Sequence, residues 1–350
     1  MTNRFSALIT SFLGWLLLTS SGCSAYRYID VETCNSGAMT FPAEMNRVLI
    51  VNHALPQHDV PFESTLRQVP ISITITADST AFDFCRTLGS ALAEFSGFDD
   101  VRLLEGCFRK DESPLSSTPL SHEDVEQLSD EHEVDVVISL DRLLFRLNEY
   151  YDTIAGIEMQ GIMNVEVSGV LRVYKPGRET PLTTILPLDT IRPDLWFDKD
   201  DKSLWDVLLS LDPTNLLRES ARFSAYEARK HFIPYWDPDV RWYFVSYETK
   251  WKQASAYAAA EKWDSALPIW KALYEGATSW KKKAYLASNI ALAEELIGNP
   301  EQALEYATIS YQLMRQYLGE EESATKMQEV YIRVLTARIV EESKLRFQIR

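Results

Sequence analysis

The residues of this chain that could hold a metal ion or activate water are few and scattered. Two of the five histidines, His53 and His58, lie close together, and Asp59 follows them in the stretch NHALPQHD. A zinc site needs three or four ligands at fixed geometry, and a polar loop after a strand accounts for this cluster equally well. We therefore predict no metal ion and no other cofactor.

The stretch DKDDKSLWD is similar to a calcium-binding loop only at its beginning. Asp198 and Asp200 occupy alternate positions, but Lys202 stands where the next oxygen ligand belongs, and no glycine follows. An EF-hand loop needs both features. The chain also contains no G-x-S-x-G, P-loop, H-E-x-x-H or G-x-G-x-x-G motif. The sequence therefore predicts no catalytic residues, and we expect the protein not to be an enzyme.

Cys23 is the residue with the clearest chemical role, because it ends the apolar run LLLTSSGC. Residues 1–22 contain one basic residue, Arg4, followed by an apolar stretch that is short for a membrane span and by small residues. This pattern resembles a bacterial lipoprotein signal, in which the cysteine sulfur carries a diacylglyceryl group. An ordinary secretory signal cut near Gly22 and an uncleaved anchor are the alternatives. We predict lipidation of Cys23.

The residue after Cys23 bears on the location of the protein. Lipoproteins that stay in the inner membrane commonly carry an aspartate there, whereas this chain has Ser24, and no acidic run comes directly behind it. The resemblance therefore implies an outer-membrane lipoprotein on the periplasmic face. Cys34, Cys85 and Cys107 remain in that oxidising compartment, and an odd number cannot all pair within one chain. A Cys85–Cys107 bridge is one alternative that the spacing leaves open.

The composition limits both the size and the partners of the protein. With 350 residues, 46% of them hydrophobic and 25% charged, the chain is long enough for two domains. Its formal net charge is −16. A polyanion of this kind repels nucleic acid and anionic lipid headgroups. We therefore expect no nucleic-acid partner and a membrane contact only through the N-terminal lipid.

Residues 46–246 alternate between strand and helix patterns, which predicts an α/β sheet domain. Strand patterns cover 47–52, 71–76, 101–104 and 134–140. A helix between them carries apolar residues at helical spacing, at Phe82, Cys85, Leu88, Leu92 and Phe95. A second helix starts with a capping-box pattern at Ser121. The run VEQLSDEHEVDVVISLDRLLF resembles the α/β unit of TolB-like periplasmic proteins and curli-secretion-type lipoproteins.

The second half of this domain is predicted to begin with an antiparallel strand pair. Residues 159–173 alternate between apolar and polar side chains, the turn KPGR follows, and residues 182–188 return. A solvated sheet and a membrane strand pair both fit that alternation. Asp212 and Pro213 then start a helix that runs to about Phe232, and residues 241–245 are a last strand or a linker.

From about residue 247 the apolar period is helical throughout. One group of small and aromatic residues has the spacing of a tetratricopeptide unit, namely Ala254, Tyr257, Trp263, Ala266, Trp270 and Leu273. A second copy, NIALAEELIGNPEQALEYATIS, places Gly298, Asn299 and Pro300 between two helices. Residues 323–346 are predicted to form one long capping helix. An unrelated helical bundle is the alternative, since two copies are fewer than the usual three.

Taken whole, the chain resembles uncharacterised Bacteroides-type lipoproteins that join an N-terminal α/β domain to tetratricopeptide-like hairpins. The predicted fold class is α+β, a mixed α/β sheet domain, followed by an all-α domain of tetratricopeptide-like helical hairpins. The predicted segments are a signal peptide (1–22), a lipid-anchored tether (23–45), the sheet domain (46–246) and the helical repeats (247–350).

The repeats predict a function in protein–protein interaction or assembly, because stacked helical hairpins form a concave surface suited to peptides or partner subunits. The partner would be an unidentified envelope protein or peptide. Residues on the first helices of the two hairpins are the candidate lining of such a groove, namely Lys252, Tyr257, Asn289 and Glu294. The alternative is an envelope hydrolase or glycan-processing enzyme in the α/β domain, which would need a polar pocket at the carboxyl ends of the strands.

Overall fold

The computed structural model describes residues 26–58, 60, 62–64, 77, 79–104, 109, 113–154, 158–191, 197–198 and 213–349. In chain order its elements are β1 (Tyr26–Asn35), β2 (Arg47–Asn52), β3 (Phe62–Ser64), α1 (Thr80–Ala93), β4 (Asp100–Leu104), α2 (His122–His132), β5 (Val136–Ile154), β6 (Glu158–Tyr174), β7 (Thr183–Ile185), β8 (Leu188–Ile191), β9 (Phe197–Asp198), α3 (Pro213–Ala228), a 3₁₀ turn (Arg229–His231), β10 (Tyr235–Phe244), α4 (Thr249–Ala259), α5 (Trp263–Glu275), α6 (Trp280–Leu296), α7 (Pro300–Leu318) and α8 (Ser323–Gln348). Within this part of the chain, no helix is both long and apolar enough to cross a membrane.

The chain divides into two compact units, each made of two separate segments. The sheet unit combines Ser36–Tyr235 with Lys344–Arg350, and the helical unit combines residues 26–35 with Trp236–Ser343. The predicted fold class, a mixed sheet domain followed by an all-α domain, is confirmed.

The sheet unit is built on one mixed sheet in the order β4-β2-β5-β6-β7. β2 pairs in parallel with both β4 and β5, so that Val48 lies opposite Val101 on one side and Val136 on the other. β6 pairs antiparallel with β7 across the turn KPGR, as the alternating pattern predicted, whereas the long antiparallel hairpin of β5 and β6 was not predicted. β8 and β9 also pair with β6, and β3 pairs with β5.

Both faces of the parallel part of this sheet are buried, because successive side chains of a strand point to opposite faces. On one face, Val48 and Ile50 of β2 pack in a core with apolar side chains of α1 and α3. On the other face, Leu49 and Val51 pack with Val125 and other residues of α2. The result is a three-layer arrangement of helices, sheet and helix.

Local signals in the sequence account for the start of α2 but not for the pairing of the cysteines. Ser121 and Asp124 form a reciprocal capping box, as predicted. Cys85 lies fully buried in α1 as a free thiol, so the structure does not form the Cys85–Cys107 bridge. Its side chain packs in the apolar core on the α1 face of the sheet. Cys107 and the predicted strand 71–76 lie outside the described residues.

The helical unit packs its small residues between helices, as the repeat pattern predicted. Ala266 of α5 and Ala303 of α7, which occupy equivalent places in the two copies, are both fully buried. Gly298 adopts a left-handed backbone conformation, with φ of 89°, at the predicted turn between α6 and α7. α8 extends the predicted capping helix to Gln348.

The structure corrects two predicted domain boundaries. Residues 26–35, placed in a tether, form β1, which pairs with β10. Ile29 packs against the core of the helical unit, which explains why this segment is ordered. β10 belongs to the helical unit from Trp236 onward, so this unit begins about ten residues before the predicted boundary at 246. Residues 344–350, predicted to cap the repeats, belong to the sheet unit instead.

Candidate binding groove

A groove lies in the helical unit between the first turns of α4 and α6. Its cavity volume is about 830 Å³, within the size range of ligand sites in proteins. We call it the basic groove, and it is lined by Arg27, Val245, Ser246, Tyr247, Glu248, Trp251, Lys252, Ser255, Ala256, Ala259, Ser279, Lys281, Lys282 and Tyr285.

The floor of the basic groove is aromatic and held in place from below. The ring nitrogen of Trp251, a nearly buried residue, donates a 2.8 Å hydrogen bond to the carbonyl oxygen of Phe244. The ring of Tyr285 stacks on that of Phe244, with centroids 4.0 Å apart and an interplanar angle of 5°. These contacts fix the floor rigidly, because both aromatic side chains are tied to the end of β10.

The rim of the basic groove is positively charged. Four cations line it, while Glu248 is the one carboxylate among the lining residues, and it pairs with Lys282 at 2.6 Å. The ammonium group of Lys252 lies 5.4 Å from the ring centroid of Tyr247, and that of Lys281 lies 5.7 Å from the ring centroid of Tyr285. Cation–π contacts of this kind hold a lysine against a wall without neutralising it.

One polar atom at the floor of the basic groove has no hydrogen-bond partner among the described residues. Ser255 lines the groove and is 9% exposed, and its hydroxyl has no hydrogen-bond partner among the described residues. A buried polar group without a partner costs about 1–3 kcal/mol. This oxygen has almost no solvent-accessible surface, so it belongs to the packing of α4 and offers a ligand no direct contact.

Of the four residues predicted to line a groove, Lys252 does so and Tyr257 does not. Lys252 is exposed at the rim of the basic groove. Tyr257 is half-buried and packs against the core of the helical unit.

Asn289 and Glu294, the other two, cannot line a groove, because both are buried inside the helical unit. The side-chain amide of Asn289 accepts a 2.6 Å hydrogen bond from the backbone nitrogen of Phe244 and donates a 2.8 Å bond to its carbonyl oxygen. Glu294 forms an ion pair with Lys271 and accepts a hydrogen bond from Asn299. The prediction failed because α6 is covered on nearly all sides, so that its polar residues hold the fold together.

Sequence reasoning missed most of the rim, since its cations come from distant segments. Arg27 belongs to β1, whereas Lys281 and Lys282 belong to α6, and neither element had been expected to meet α4 in this way. The short-range signal that could have been read is the run WKKK at residues 280–283.

The histidine cluster and the acidic loop do not assemble into a metal site. His53 is buried just after β2, whereas His58 is exposed. In the part of the chain that the structure describes, no three His, Cys, Asp or Glu residues are placed to hold a metal ion. Asp59 and Asp200 lie outside the described residues.

Two carboxylates are buried among the described residues of the sheet unit, Asp83 in α1 and Asp141 where β5 bulges opposite β6. Asp141 is fully buried and accepts hydrogen bonds from Ser139 and Arg172. Arg172 also donates to the carbonyl oxygen of Ser117, and Arg109 bridges the carbonyl oxygens of Ser116 and Asp141. The cluster therefore ties the Ser/Pro-rich loop before α2 to the sheet, and the carboxylate has no exposed surface that a substrate could reach.

The pH dependence of stability should report this buried carboxylate. Burial raises the pKa of Asp141 to about 6, although the hydrogen bonds from Ser139 and Arg172 lower it. Because the folded-state pKa lies above the unfolded value, the protonated form favours the fold, and this contribution is lost as the pH rises from about 4 through 6. The loss is about 3 kcal/mol at 1.36 kcal/mol for each pKa unit. Urea unfolding at pH 4 and pH 7.5 should show this loss in the wild type and not in Asp141→Asn.

The family matches coincide only in part with the two compact units of the chain. Residues 45–244, more than half of the chain, match a family described as a domain of unknown function, DUF8603. The chain belongs to the DUF8603 family. Residues 252–337 match a second domain of unknown function, DUF6340. The DUF8603 match includes all residues of β2 to β10, so its last nine residues, 236–244, belong to the helical unit.

Other comparisons add little to the DUF8603 assignment. No curated protein matches the chain. A crystal structure of a neuraminyllactose-binding hemagglutinin homolog from Helicobacter pylori is 10% identical, with 56% of this chain and 88% of that chain covered. Its TM-score of 0.26 is too low to carry an argument about fold or function.

Proposed function

We propose that this protein is a lipid-anchored cell-envelope protein whose helical unit is an interaction module. The partner is an envelope protein, and the basic groove is the binding site. The observation that supports this most directly is the combination of a cationic rim and a rigid aromatic floor in one groove. Rigid aromatic anchors surrounded by polar contacts are typical of residues that dominate binding energy.

The proposed anchor is Cys23, in the outer membrane on the periplasmic face. Ser24 and Ala25 are the residues between Cys23 and β1. Three Cα–Cα steps span about 11 Å at most. A lipid on Cys23 would therefore hold the start of β1 close to the headgroups, which places the module beside other proteins of the same membrane.

The alternative function, an envelope hydrolase or glycan-processing enzyme, would use the sheet unit. The Asp141 cluster is its strongest candidate, because a carboxylate with a raised pKa is a common feature of active sites. Complete burial under the loop before α2 removes that advantage. The groove of the helical unit therefore remains the better-supported site.

Charge reversal at the rim tests the proposed binding site. We expect the double variant Lys252→Glu, Lys281→Glu to lose at least 80% of the partner that the wild type captures from detergent-solubilised envelopes, because both cations face the groove. The matched control is Lys250→Glu, Lys262→Glu, which changes the net charge equally at exposed positions outside the groove. Equal capture by both double variants, measured by quantitative mass spectrometry, would show that the groove is not the binding site.

Substitution of Cys23 tests the anchor. We expect Cys23→Ala to abolish incorporation of a clickable fatty-acid analogue and to leave the protein as an unprocessed precursor or in the soluble fraction. The described elements of both units should not change, since none of their described contacts involves Cys23. Cys34→Ala serves as the control, because Cys34 is a second non-core thiol near the N-terminus. Label that persists in Cys23→Ala would contradict lipidation at this residue.

A further inference from the structure

We infer that the occupant of the basic groove is an extended, acidic peptide segment of the partner protein. This inference rests on the proposed function and adds the chemistry of the ligand. It follows from three features of the groove, namely its charge, its depth and its distance from Cys23.

The charge of the groove is opposite to that of the chain. Arg27, Lys252 and Lys281 line it without a carboxylate partner among the described residues, whereas the chain as a whole has a formal net charge of −16. A local excess of cations in an acidic protein concentrates anionic ligands at that place and repels cationic ones. Carboxylates of a peptide can pair with these cations at the rim. Each pair remains hydrated there and contributes modestly to the free energy of binding.

The depth of the groove favours a peptide over a membrane surface. A bilayer is flat, so its headgroups would meet the rim but not the floor formed by Trp251 and Tyr285. An extended segment offers backbone N–H and C=O groups along its whole length. The net negative charge of the protein also opposes its adsorption to anionic lipid.

The shape of the groove also sets the pattern of the segment. Side chains on one face of an extended peptide repeat every second residue, about 7 Å apart. Acidic residues at alternate positions would therefore follow the rim, and an aromatic or aliphatic residue between them would meet the floor. Tyr247, which is 78% exposed beside Lys252, offers a second apolar contact at the edge.

The position of Arg27 restricts where the segment comes from. Arg27 lies four residues after Cys23, and four extended residues span about 14 Å. If Cys23 is acylated, one wall of the groove stays that close to the membrane. The acidic segment should then be a membrane-proximal part of its own protein, such as a linker that follows a lipid anchor or a transmembrane element.

Fluorescence anisotropy with a defined probe tests the inference. The protein is the chain from residue 24 onward, and the probe is a fluorescein-labelled 11-residue peptide of alternating Glu and Ala with a central Tyr. We expect saturable binding that weakens at least tenfold in Lys252→Glu, Lys281→Glu and less than twofold in Lys250→Glu, Lys262→Glu. The same peptide with Gln in place of Glu should not bind, and raising NaCl from 50 to 500 mM should weaken the acidic peptide at least tenfold.

The result that overturns the inference is binding of the Gln peptide as tightly as the Glu peptide, or no binding of either. A parallel flotation assay uses vesicles of phosphatidylcholine alone or with 30% phosphatidylglycerol. Binding to the anionic vesicles that depends on Lys252 and Lys281, without binding of the peptide, would show that the groove binds lipid headgroups instead of a peptide. Capture from envelopes that depends on Lys252 and Lys281, without binding of the acidic peptide, would support the groove as the binding site. It would show that the ligand is not an acidic segment. If neither depends on them, both are wrong.

Discussion

Asn289→Leu is expected to destabilise the helical unit by about 2–4 kcal/mol. Leucine has nearly the same shape, but it removes both hydrogen bonds to Phe244 and leaves the buried backbone nitrogen of that residue without an acceptor. An unpaired buried donor costs about 1–3 kcal/mol beyond the bonds lost. Hydrogen-exchange mass spectrometry should show faster exchange at the end of β10, and urea unfolding should give the free-energy change.

The control for this substitution is Asn299→Ala, at an exposed position in the turn between α6 and α7. The side chain of Asn299 donates one hydrogen bond, to the carboxylate of Glu294, so its loss should cost up to about 2 kcal/mol and should not speed exchange at the end of β10. If Asn289→Leu lowers the free energy of unfolding by less than about 1 kcal/mol and also reduces partner capture, the structural role is wrong. Asn289 would then be a binding residue, as the sequence predicted.

Gln348→Ala is expected to destabilise the sheet unit by about 3 kcal/mol. The side-chain amide of Gln348 accepts a hydrogen bond from the backbone nitrogen of Gly37 and donates to the carbonyl oxygens of Gly37 and Met39 and to the hydroxyl of Thr40. Alanine leaves the buried backbone nitrogen and carbonyl oxygen of Gly37 unpaired, whereas Met39 and Thr40 lie closer to solvent. Thermal unfolding should show a lower midpoint for the sheet unit, and limited proteolysis should show new cleavage near residues 36–40.

Two further variants test the hydrogen bonds of the Gln348 side chain. Ile349→Ala, at a neighbouring side chain that is 59% exposed, should change stability by less than about 0.5 kcal/mol. Gln348→Glu should cost as much as alanine, because a carboxylate oxygen would face two carbonyl oxygens. A wild-type melting profile for Gln348→Ala would mean that the last residues of the chain do not contribute to the sheet unit.

The sequence predicted the elements that depend on local signals. α2 could be located by its capping box at Ser121, and the pairing of β6 with β7 by the period of two and the turn KPGR between them. The repeat spacing correctly placed Ala266 and Ala303 between helices, because close helix packing needs small residues there. These signals lie within a few residues of one another, which is why a single sequence reveals them.

Features that depend on distant contacts were not predictable in the same way. β1 lacks a clear alternation, and its order comes from pairing with β10, about 200 residues later. Asn289 and Glu294 look like surface residues of an amphipathic helix, yet neighbours on almost every side bury α6. The basic groove unites cations from β1, α4 and α6. Its charge is visible only after the fold has brought those elements together.

If the chain is exported as proposed, the division of each unit between two segments has a consequence for its translocation. β1 emerges first from a translocon but must wait for β10, and an unpaired strand edge is a template for aggregation. The sheet unit in turn cannot bind Gln348 until nearly the whole chain has crossed the inner membrane. Both units therefore reach their final form together at the end of translocation, and envelope chaperones would have to protect the nascent strand until then.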